Sequence, residues 1–137
     1  MQLADLEPAD SRQLAQDLLA ADALVQRCCD AELLSGSQHD LPLLQRTLAQ
    51  LGTPDAAQLR AIAAALGRVL LHSQPGSEWV VVRGARQRGL AVRRCGTLHW
   101  VSPEGALRSH LQSQRSADLQ GLHAMLLARL NPPALAA

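Results

Sequence analysis

The stretch from residue 77 to residue 103 reads SEWVVVRGARQRGLAVRRCGTLHWVSP, and its residue types favour β-strands. It holds both tryptophans and most of the valines, and Gly76, Gly84, Gly89 and Gly96 punctuate it like turns. We predict a three-stranded antiparallel meander here. The Leu- and Ala-rich flanks are typical of helices, so the predicted class is α+β: three N-terminal helices, the meander, and two C-terminal helices packed on the sheet.

Capping residues and prolines predict where the helices begin and end. We expect a first helix over 11–34 with Asp10 or Ser11 as its N-cap, and a short second helix that Gly52 ends. A third helix starts at Thr53-Pro54-Asp55 and runs to about residue 72. On one side of it, Ala63, Ala64 and Gly67 leave room for close approach of another backbone.

The two last helices carry the same kind of start signal. Ser102-Pro103-Glu104 predicts the start of one, and Ser116, with an acid in the first turn, predicts the start of the other. Prolines 132 and 133 stop the last helix, and we expect the tail after Pro133 to be disordered. Residues 1–137 therefore form one predicted domain with an ordered core over about 10–131.

Composition excludes several function classes. The net charge is +1 and every basic residue is an arginine, which argues against a general binder of nucleic acid or membrane surfaces. No apolar run reaches the roughly 20 residues of a membrane span. Three cysteines, two of them adjacent, do not suggest a disulfide framework, and the N-terminus lacks signal-peptide features. We expect a cytoplasmic protein without a cofactor.

Four segments together resemble a family of small bacterial domains of unknown function. They are a helix end at 62–67, the Glu-Trp-Val-x-Val motif at 78–82, a strand at 88–93 and the Ser-Pro pair at 102–103. The resemblance covers about residues 55–130 and implies an α+β fold with no activity, cofactor or catalytic residue to transfer. The chain departs from the family pattern in having Ala63 for a glycine and an arginine-rich first turn where an acidic one is usual.

Thiols and imidazoles offer the main route to catalysis. Cys95 and His99 are four residues apart and would need Cys28 or His123 nearby to hold a metal, while the adjacent Cys28 and Cys29 lack zinc-ligand spacing. Buried packing is the default role for such thiols, so we predict no metal site. No nucleophile elbow, phosphate loop or paired catalytic carboxylate occurs. A small-ligand or metal-dependent enzyme that uses Cys95, His99 and His123 stays the alternative hypothesis.

The arginines of the meander form the strongest local charge asymmetry. Pairing of the first two strands is expected to bring Arg83 near Arg93 and to place Arg86 and Arg88 at the hairpin tip, with Arg94 close by. Either these side chains are solvated or they bind an anion or acidic partner, because guanidinium groups bind carboxylates and phosphates bidentately. Nucleic-acid binding is a second alternative that the short basic stretch does not favour.

Trp79 and Trp100 complete the predicted binding residues. Both are expected to pack mainly against helices, on an inner side formed by Trp79, Val81, Leu90 and Val92 or by their strand alternates. The other sheet face then stays open as a recognition surface. The leading hypothesis is a non-catalytic module that binds an unknown protein partner, or a second copy of itself, through the sheet face and the arginine-rich hairpin.

Overall fold

The computed structural model describes residues 2–30, 33–85 and 87–132. Within these ranges, five helices accompany one antiparallel sheet of four strands in the order β1-β2-β3-β4. The elements are β1 (Gln2–Ala4), α1 (Pro8–Cys28), α2 (Asp40–Leu51), α3 (Ala56–Ser73), β2 (Ser77–Arg83), β3 (Arg88–Arg94), β4 (Trp100–Val101), α4 (Pro103–Ser113) and α5 (Leu119–Leu130). The α+β class is confirmed.

A short N-terminal strand corrects the predicted three-stranded sheet and the predicted order of elements. Residues Gln2–Ala4 pair antiparallel with the end of β2, where Gln2 lies opposite Arg83 and Ala4 opposite Val81. A strand therefore precedes the three N-terminal helices in the described part of the chain. A segment of three residues is too short to be predicted as a strand from β-propensity. It forms a strand because it pairs with β2, about eighty residues away in the chain, and no local pattern indicates that pairing.

The first helix is also shorter and earlier than predicted. It runs from Pro8 to Cys28 rather than over 11–34, since Pro8 fits the first helical turn and the N–H of the capping Glu7 donates to Asp10 Oδ2 at 2.8 Å. At the other end, Asp30 adopts a φ of 56°, which leaves the helical region. Asp10 is therefore the third helical residue and not the cap.

Two other helices have their N-caps two residues later than predicted, at Asp55 instead of Thr53 and at Asp118 instead of Ser116. Asp55 caps α3 by accepting the N–H of Gln58 at 2.8 Å, and Asp118 caps α5 by accepting the N–H of Gly121 at 3.0 Å. The predicted Ser102 cap of α4 is confirmed, because its hydroxyl accepts the N–H of Gly105 at 3.2 Å. The predicted disorder after Pro133 concerns residues outside the described part of the chain.

The central residues of the sheet are buried on both faces. Val80, Val81, Ala91 and Val92 are each at most 1% exposed, so the expectation of one widely open sheet face is too simple. The shallow side of α3 receives an indole rather than a backbone: a Cβ at Gly67 would lie 2.1 Å from Cη2 of Trp79. This contact fixes the indole between α3 and the sheet.

No helix in the described ranges is both long enough and apolar enough to cross a membrane. The core consists mainly of leucine, valine and alanine side chains from all five helices and from β3 and β4. Four of the alanines in the middle of α3 and its Gly67 are buried, so this helix is the central element against which the others pack.

Candidate binding groove and open sheet edge

The strand register divides the predicted arginine cluster between the two ends of the hairpin. Arg83 lies opposite Arg88 near the tip, whereas Arg93 lies opposite Glu78 and Arg94 opposite Ser77. The predicted proximity of Arg83 and Arg93 is therefore wrong, because five residues of strand separate the two positions by roughly 17 Å. Arg86 lies outside the described residues.

At the tip, carboxylates from the start of α1 pair with both described arginines. Arg83 Nη2 lies 3.1 Å from Glu7 Oε1, and Arg88 donates its Nη2 to Asp10 Oδ2 at 2.6 Å and its Nη1 to Oδ1. The hydrogen bond from Arg88 lowers the pKa of Asp10, and the same contact raises the pKa of Arg88. The tip therefore carries less net positive charge than the sequence suggests.

At the opposite end, Arg93 and Arg94 differ in their surroundings. Arg93 binds Glu78 across the strand pair, and this hydrogen bond lowers the pKa of Glu78. Arg94 is exposed and forms no ion pair with any residue that the structure describes. It lies close in sequence to the turn that carries Leu98, which is 82% exposed. The predicted arginines thus have individual roles and do not form one cluster.

The two tryptophans lie on opposite faces of the sheet. Trp79 pairs with Val92 in register, while Trp100 pairs with Arg93, and neighbouring residues of a strand point to opposite faces. Both side chains are half-buried. The structure therefore does not bring the predicted set of arginines and tryptophans into one site, but it does place Trp79 and Arg88 around a common groove.

The thiols and imidazoles of the alternative enzyme hypothesis lie in different environments. Cys95 and His99 are exposed in the β3–β4 turn, whereas His123 is 5% exposed and its Nε2 lies 3.0 Å from Ser73 Oγ. Burial lowers the pKa of His123. Cys28 and Cys29 are free thiols, and Cys29 is buried. Among the described residues, no group of three or more His, Cys, Asp or Glu side chains could hold a metal ion.

A cavity of about 190 Å³ lies between α1, α3, the sheet and the start of α4. We call it the Asp–Arg groove, after the charged side chains that dominate its walls. Its lining residues are Asp10, Gln13, Asp17, Arg60, Ala63, Ala64, Trp79, Arg88, Gly89, Leu90, Pro103 and Glu104. Convergent polar side chains around a concave, partly apolar surface are the usual mark of a ligand site.

The second ion pair of the groove joins Asp17 and Arg60. Arg60 donates its Nε to both carboxylate oxygens, at 3.1 and 3.2 Å, and Gln13 donates its side-chain amide to Oδ1 at 3.0 Å. Asp17 is 4% exposed, and these donors supply hydrogen bonds to its buried carboxylate oxygens. The Nη atoms of Arg60 form no hydrogen bond with the described part of the chain.

Sequence reasoning missed Asp10, Asp17, Arg60 and Glu104 as site residues. Asp10 and Glu104 look like residues that stabilise helix starts, and Asp17 and Arg60 are 43 positions apart. One signal was nevertheless present. Asp10 and Asp17 share a helical face with Leu14 and Ala21, so two acids occupy an otherwise apolar stripe. An acid on a buried stripe predicts a partner cation from another element.

Within the described ranges, no strand pairs with the outer edge of β3 over its first half. The last strand, β4, pairs only with Val92 and Arg93, and the residue that would continue it opposite Leu90 is Pro103, which has no N–H. Because Arg94 donates its N–H to the His99 carbonyl at 3.0 Å, the main-chain groups of Val92, Leu90 and Arg88, which lie two, four and six positions before it, also point outward. We call the outward side of residues 88–91 the open edge.

A second cavity of about 720 Å³ adjoins the open edge on the other face of the sheet. Its walls include Val82, Gly89 and Trp100 of the sheet and Ser102 and Gly105 at the start of α4. The open edge therefore runs between two concave surfaces, the Asp–Arg groove on the Trp79 face and this second groove on the Trp100 face.

A family profile described as "Domain of unknown function (DUF3806)" matches residues 40–123. The matched segment contains Arg60, Trp79, Arg88 and Glu104 but excludes α1, which supplies the two aspartates of the groove. The profile supports the expected relation to a family without assigned activity, while the short motifs quoted for that relation stay predictions. A comparison with curated proteins finds no match.

The fold is similar to that of a protein from Bacteroides thetaiotaomicron VPI-5482 whose crystal structure was determined at 1.50 Å. The TM-score is 0.78 at 13% sequence identity, over 90% of this chain and 46% of the other. The chain thus spans less than half the length of that protein. At this identity the similarity shows a shared fold and nothing about activity.

Proposed function

The chain belongs to the family described as a domain of unknown function (DUF3806), and from its geometry we propose that it is a non-catalytic protein-binding module. In this proposal, an extended segment of a partner protein adds to the open edge of β3, beside the arginine-bearing hairpin. The observation that carries it is the unpaired first half of β3 between two grooves. We further propose a cytoplasmic location, in keeping with three free thiols.

The main chain of β3 supplies the first part of the support. Arg88 and Leu90 present outward N–H and C=O groups, which no strand of the described ranges pairs. An unpaired strand edge is a template for another extended chain, and binding by strand addition draws its affinity from these main-chain hydrogen bonds. Two outward residues with one residue between them match the repeat of an extended peptide.

The two grooves supply the second part of the support. Side chains of an added strand alternate between the faces of the sheet, so consecutive residues of the partner would enter the Asp–Arg groove and the second groove in turn. Main-chain pairing does not depend on sequence, whereas grooves select side chains. The arrangement thus combines a general attachment with a means of specificity.

The competing functions have less support. His123 is buried against Ser73 while Cys95 and His99 are exposed in a turn, so these three side chains provide no common site for the enzyme hypothesis. Nucleic-acid binding would require a continuous basic stripe. The register instead separates Arg83 and Arg88 from Arg93, and acids neutralise all three.

A bulky side chain at Gly89, which would fill the second groove, tests the proposal without disturbing the fold. A Cβ at this position would have no heavy atom within 4 Å, and its strand position directs it toward the second groove. Peptides selected from a random displayed library with the wild-type domain are expected to perturb the amide NMR signals of Arg88 and Leu90. Gly89→Phe should weaken their binding by about tenfold, which corresponds to roughly 1.4 kcal/mol.

Gly89→Ala is the matched control, because it adds a methyl group that leaves the groove open, and it should bind the selected peptides like the wild type. Equal binding by the Gly89→Phe variant, or NMR changes confined to a distant surface, would overturn the proposal. Light scattering of the wild type and of Gly89→Phe then shows whether the partner is a second copy of the chain. If the wild type is a dimer and Gly89→Phe is a monomer, the partner is the chain itself.

A further inference from the structure

We propose that the Asp–Arg groove binds a small zwitterion, a molecule that carries a carboxylate and a protonated amine, such as a free amino acid. This inference goes beyond protein binding, because the open edge acts through the main chain of β3, while the groove would act through side chains of α1, α3 and α4. A bound amino acid and a partner side chain would compete for the Asp–Arg groove, whereas main-chain pairing at the open edge does not require an occupied groove, so the two properties are tested separately.

Arg60 provides the site for the carboxylate. Its Nε is bound to both oxygens of Asp17, which holds the guanidinium plane in one orientation. Its two Nη atoms form no hydrogen bond with the described residues, and the side chain is 47% exposed at the groove. A fixed guanidinium with two free amino groups can donate two parallel hydrogen bonds to a carboxylate.

Glu104 provides the site for the amine. Glu104 lies in the first turn of α4 and lines both the Asp–Arg groove and the second groove. It forms an ion pair with Arg108, four residues further along α4, but the distance of 3.7 Å between Arg108 Nη2 and Glu104 Oε1 is too long for a hydrogen bond. The lone pairs of Glu104 are consequently available to a ligand, and an ammonium group with three N–H donors can use them.

The size and the apolar floor of the groove limit the ligand. Ala63, Ala64 and Leu90 leave a shallow apolar surface beside the half-buried indole of Trp79. The volume of about 190 Å³ is below the range of roughly 300–1,000 Å³ that drug-sized ligands occupy. A molecule smaller than drug-sized ligands, such as a free amino acid, matches this volume.

The charge of the walls distinguishes a zwitterion from a simple ion. Three acids (Asp10, Asp17 and Glu104) and two arginines (Arg60 and Arg88) line the groove, so their formal charges sum to −1. A simple anion meets this net negative charge, and a simple amine gains no hydrogen bond from the amino groups of Arg60. A molecule with both groups satisfies Arg60 and Glu104 together.

Titration of the purified protein with a panel of free amino acids, followed by amide NMR and calorimetry, tests the inference. At least one amino acid is expected to bind with signals near residues 60 and 104 shifted, and its N-acetylated and C-amidated derivatives should each bind about tenfold more weakly, because each derivative loses one charge-assisted contact. Glu104→Gln should weaken binding by a similar factor.

Asp5→Asn is the matched control, since it removes one negative charge at an exposed position away from the groove and should leave amino-acid binding unchanged. Thermal unfolding of both variants shows whether each is folded. Absence of binding across the panel, equal affinity for the blocked derivatives, or full binding by folded Glu104→Gln would each overturn the inference. None of these results bears on peptide binding at the open edge, which the Gly89 variants test separately.

Discussion

The two aspartate–arginine pairs of the groove have the same composition but different remaining capacity for hydrogen bonds. Asp10 receives both Nη atoms of Arg88 and the N–H of Glu7, so the terminal nitrogens of that guanidinium are already engaged. Asp17 receives only the Nε of Arg60, together with the side-chain amide of Gln13. The first pair therefore joins α1 to the hairpin, while the second leaves donors exposed.

The direction from which each arginine approaches explains this difference. Arg88 extends from β3 toward the first turn of α1, so the end of its side chain meets Asp10. Arg60 belongs to α3, which packs closely against α1. Its Nε therefore lies beside Asp17 and donates to it, while the terminal amino groups extend beyond the carboxylate. Residue types alone thus do not distinguish a structural ion pair from one that can also bind a ligand.

The largest expected effect comes from a change at Gly67, which contacts the indole of Trp79, a residue that lines the groove beside both pairs. Gly67→Ala should lower the free energy of unfolding by about 2–3 kcal/mol, because the new Cβ would lie 2.1 Å from Trp79 Cη2 and must displace the indole. Urea unfolding followed by circular dichroism measures this change. The displaced indole should also alter the tryptophan fluorescence of the folded protein.

The same substitution in a Trp79→Leu background serves as the control. With the indole removed, Gly67→Ala should instead stabilise the helix by up to about 1 kcal/mol, the ordinary difference between alanine and glycine inside a helix. An equal loss of stability in both backgrounds would mean that Trp79 is not the neighbour that makes Gly67 necessary.

Removal of each carboxylate compares the two pairs directly. Asp10→Ala should lower the free energy of unfolding by about 2 kcal/mol, because two charge-assisted bonds and the bond to the Glu7 N–H are lost. Asp17→Ala should cost about 1 kcal/mol, since its partner Arg60 is half-exposed and can be solvated by water. Urea unfolding at pH 7 gives both values.

Double variants show whether these costs arise from the pairs. Arg88→Met should make a subsequent Asp10→Ala change much less costly, and Arg60→Met should do the same for Asp17→Ala. If Asp17→Ala proved the more costly of the two single changes, the assignment of the Asp10 pair as the structural one would be wrong.

The smallest expected effect is a pH dependence of the structural pair. The hydrogen bond from Arg88 holds the pKa of Asp10 below its ordinary value. Because the folded pKa is the lower one, the stabilisation is complete above the unfolded pKa of about 3.9 and is lost as the pH falls through the folded pKa. The stability difference between the wild type and Asp10→Asn should therefore shrink as the pH falls from 5 toward 2.

Thermal unfolding in a pH series measures that difference. Glu78, whose pKa Arg93 lowers, contributes an acid-sensitive term of its own, so Glu78→Gln is the companion variant. A difference between the wild type and Asp10→Asn that stays constant down to pH 2 would contradict the predicted role of the Asp10 carboxylate.

Sequence reasoning predicted the strands and helices well where local signals exist. The Val-rich strands with glycine between them and the Ser102 cap are features that the structure contains. The small residues on α3 do mark a close contact, but the contact is with the indole of Trp79 and not with the predicted backbone. Sequence reasoning failed for β1, whose three residues form a strand through pairing with β2. It also placed Arg83 beside Arg93, because the hairpin register depends on turn geometry that arginine-rich sequences do not specify.

The candidate site was less predictable than the fold. Trp79 and Arg88 were among the predicted residues. Asp17 and Arg60, in contrast, are 43 positions apart in the chain, and no local sequence pattern indicates their contact. Two acids on the buried stripe of α1 indicate that cations must approach, although not which ones. How α1 packs against α3 and the hairpin decides which arginine pairs with each aspartate and which of its nitrogens donate.

By itself the sequence determined the class of the fold, the position of the strand-forming stretch and the absence of familiar catalytic motifs, since local propensity and spacing govern these. The tertiary structure alone decided the register that separates the arginines, the proline-limited β4 that leaves β3 open, and the pairing of Asp10 with Arg88 and Asp17 with Arg60. These features depend on contacts between residues distant in the chain, which packing geometry selects and local propensity does not.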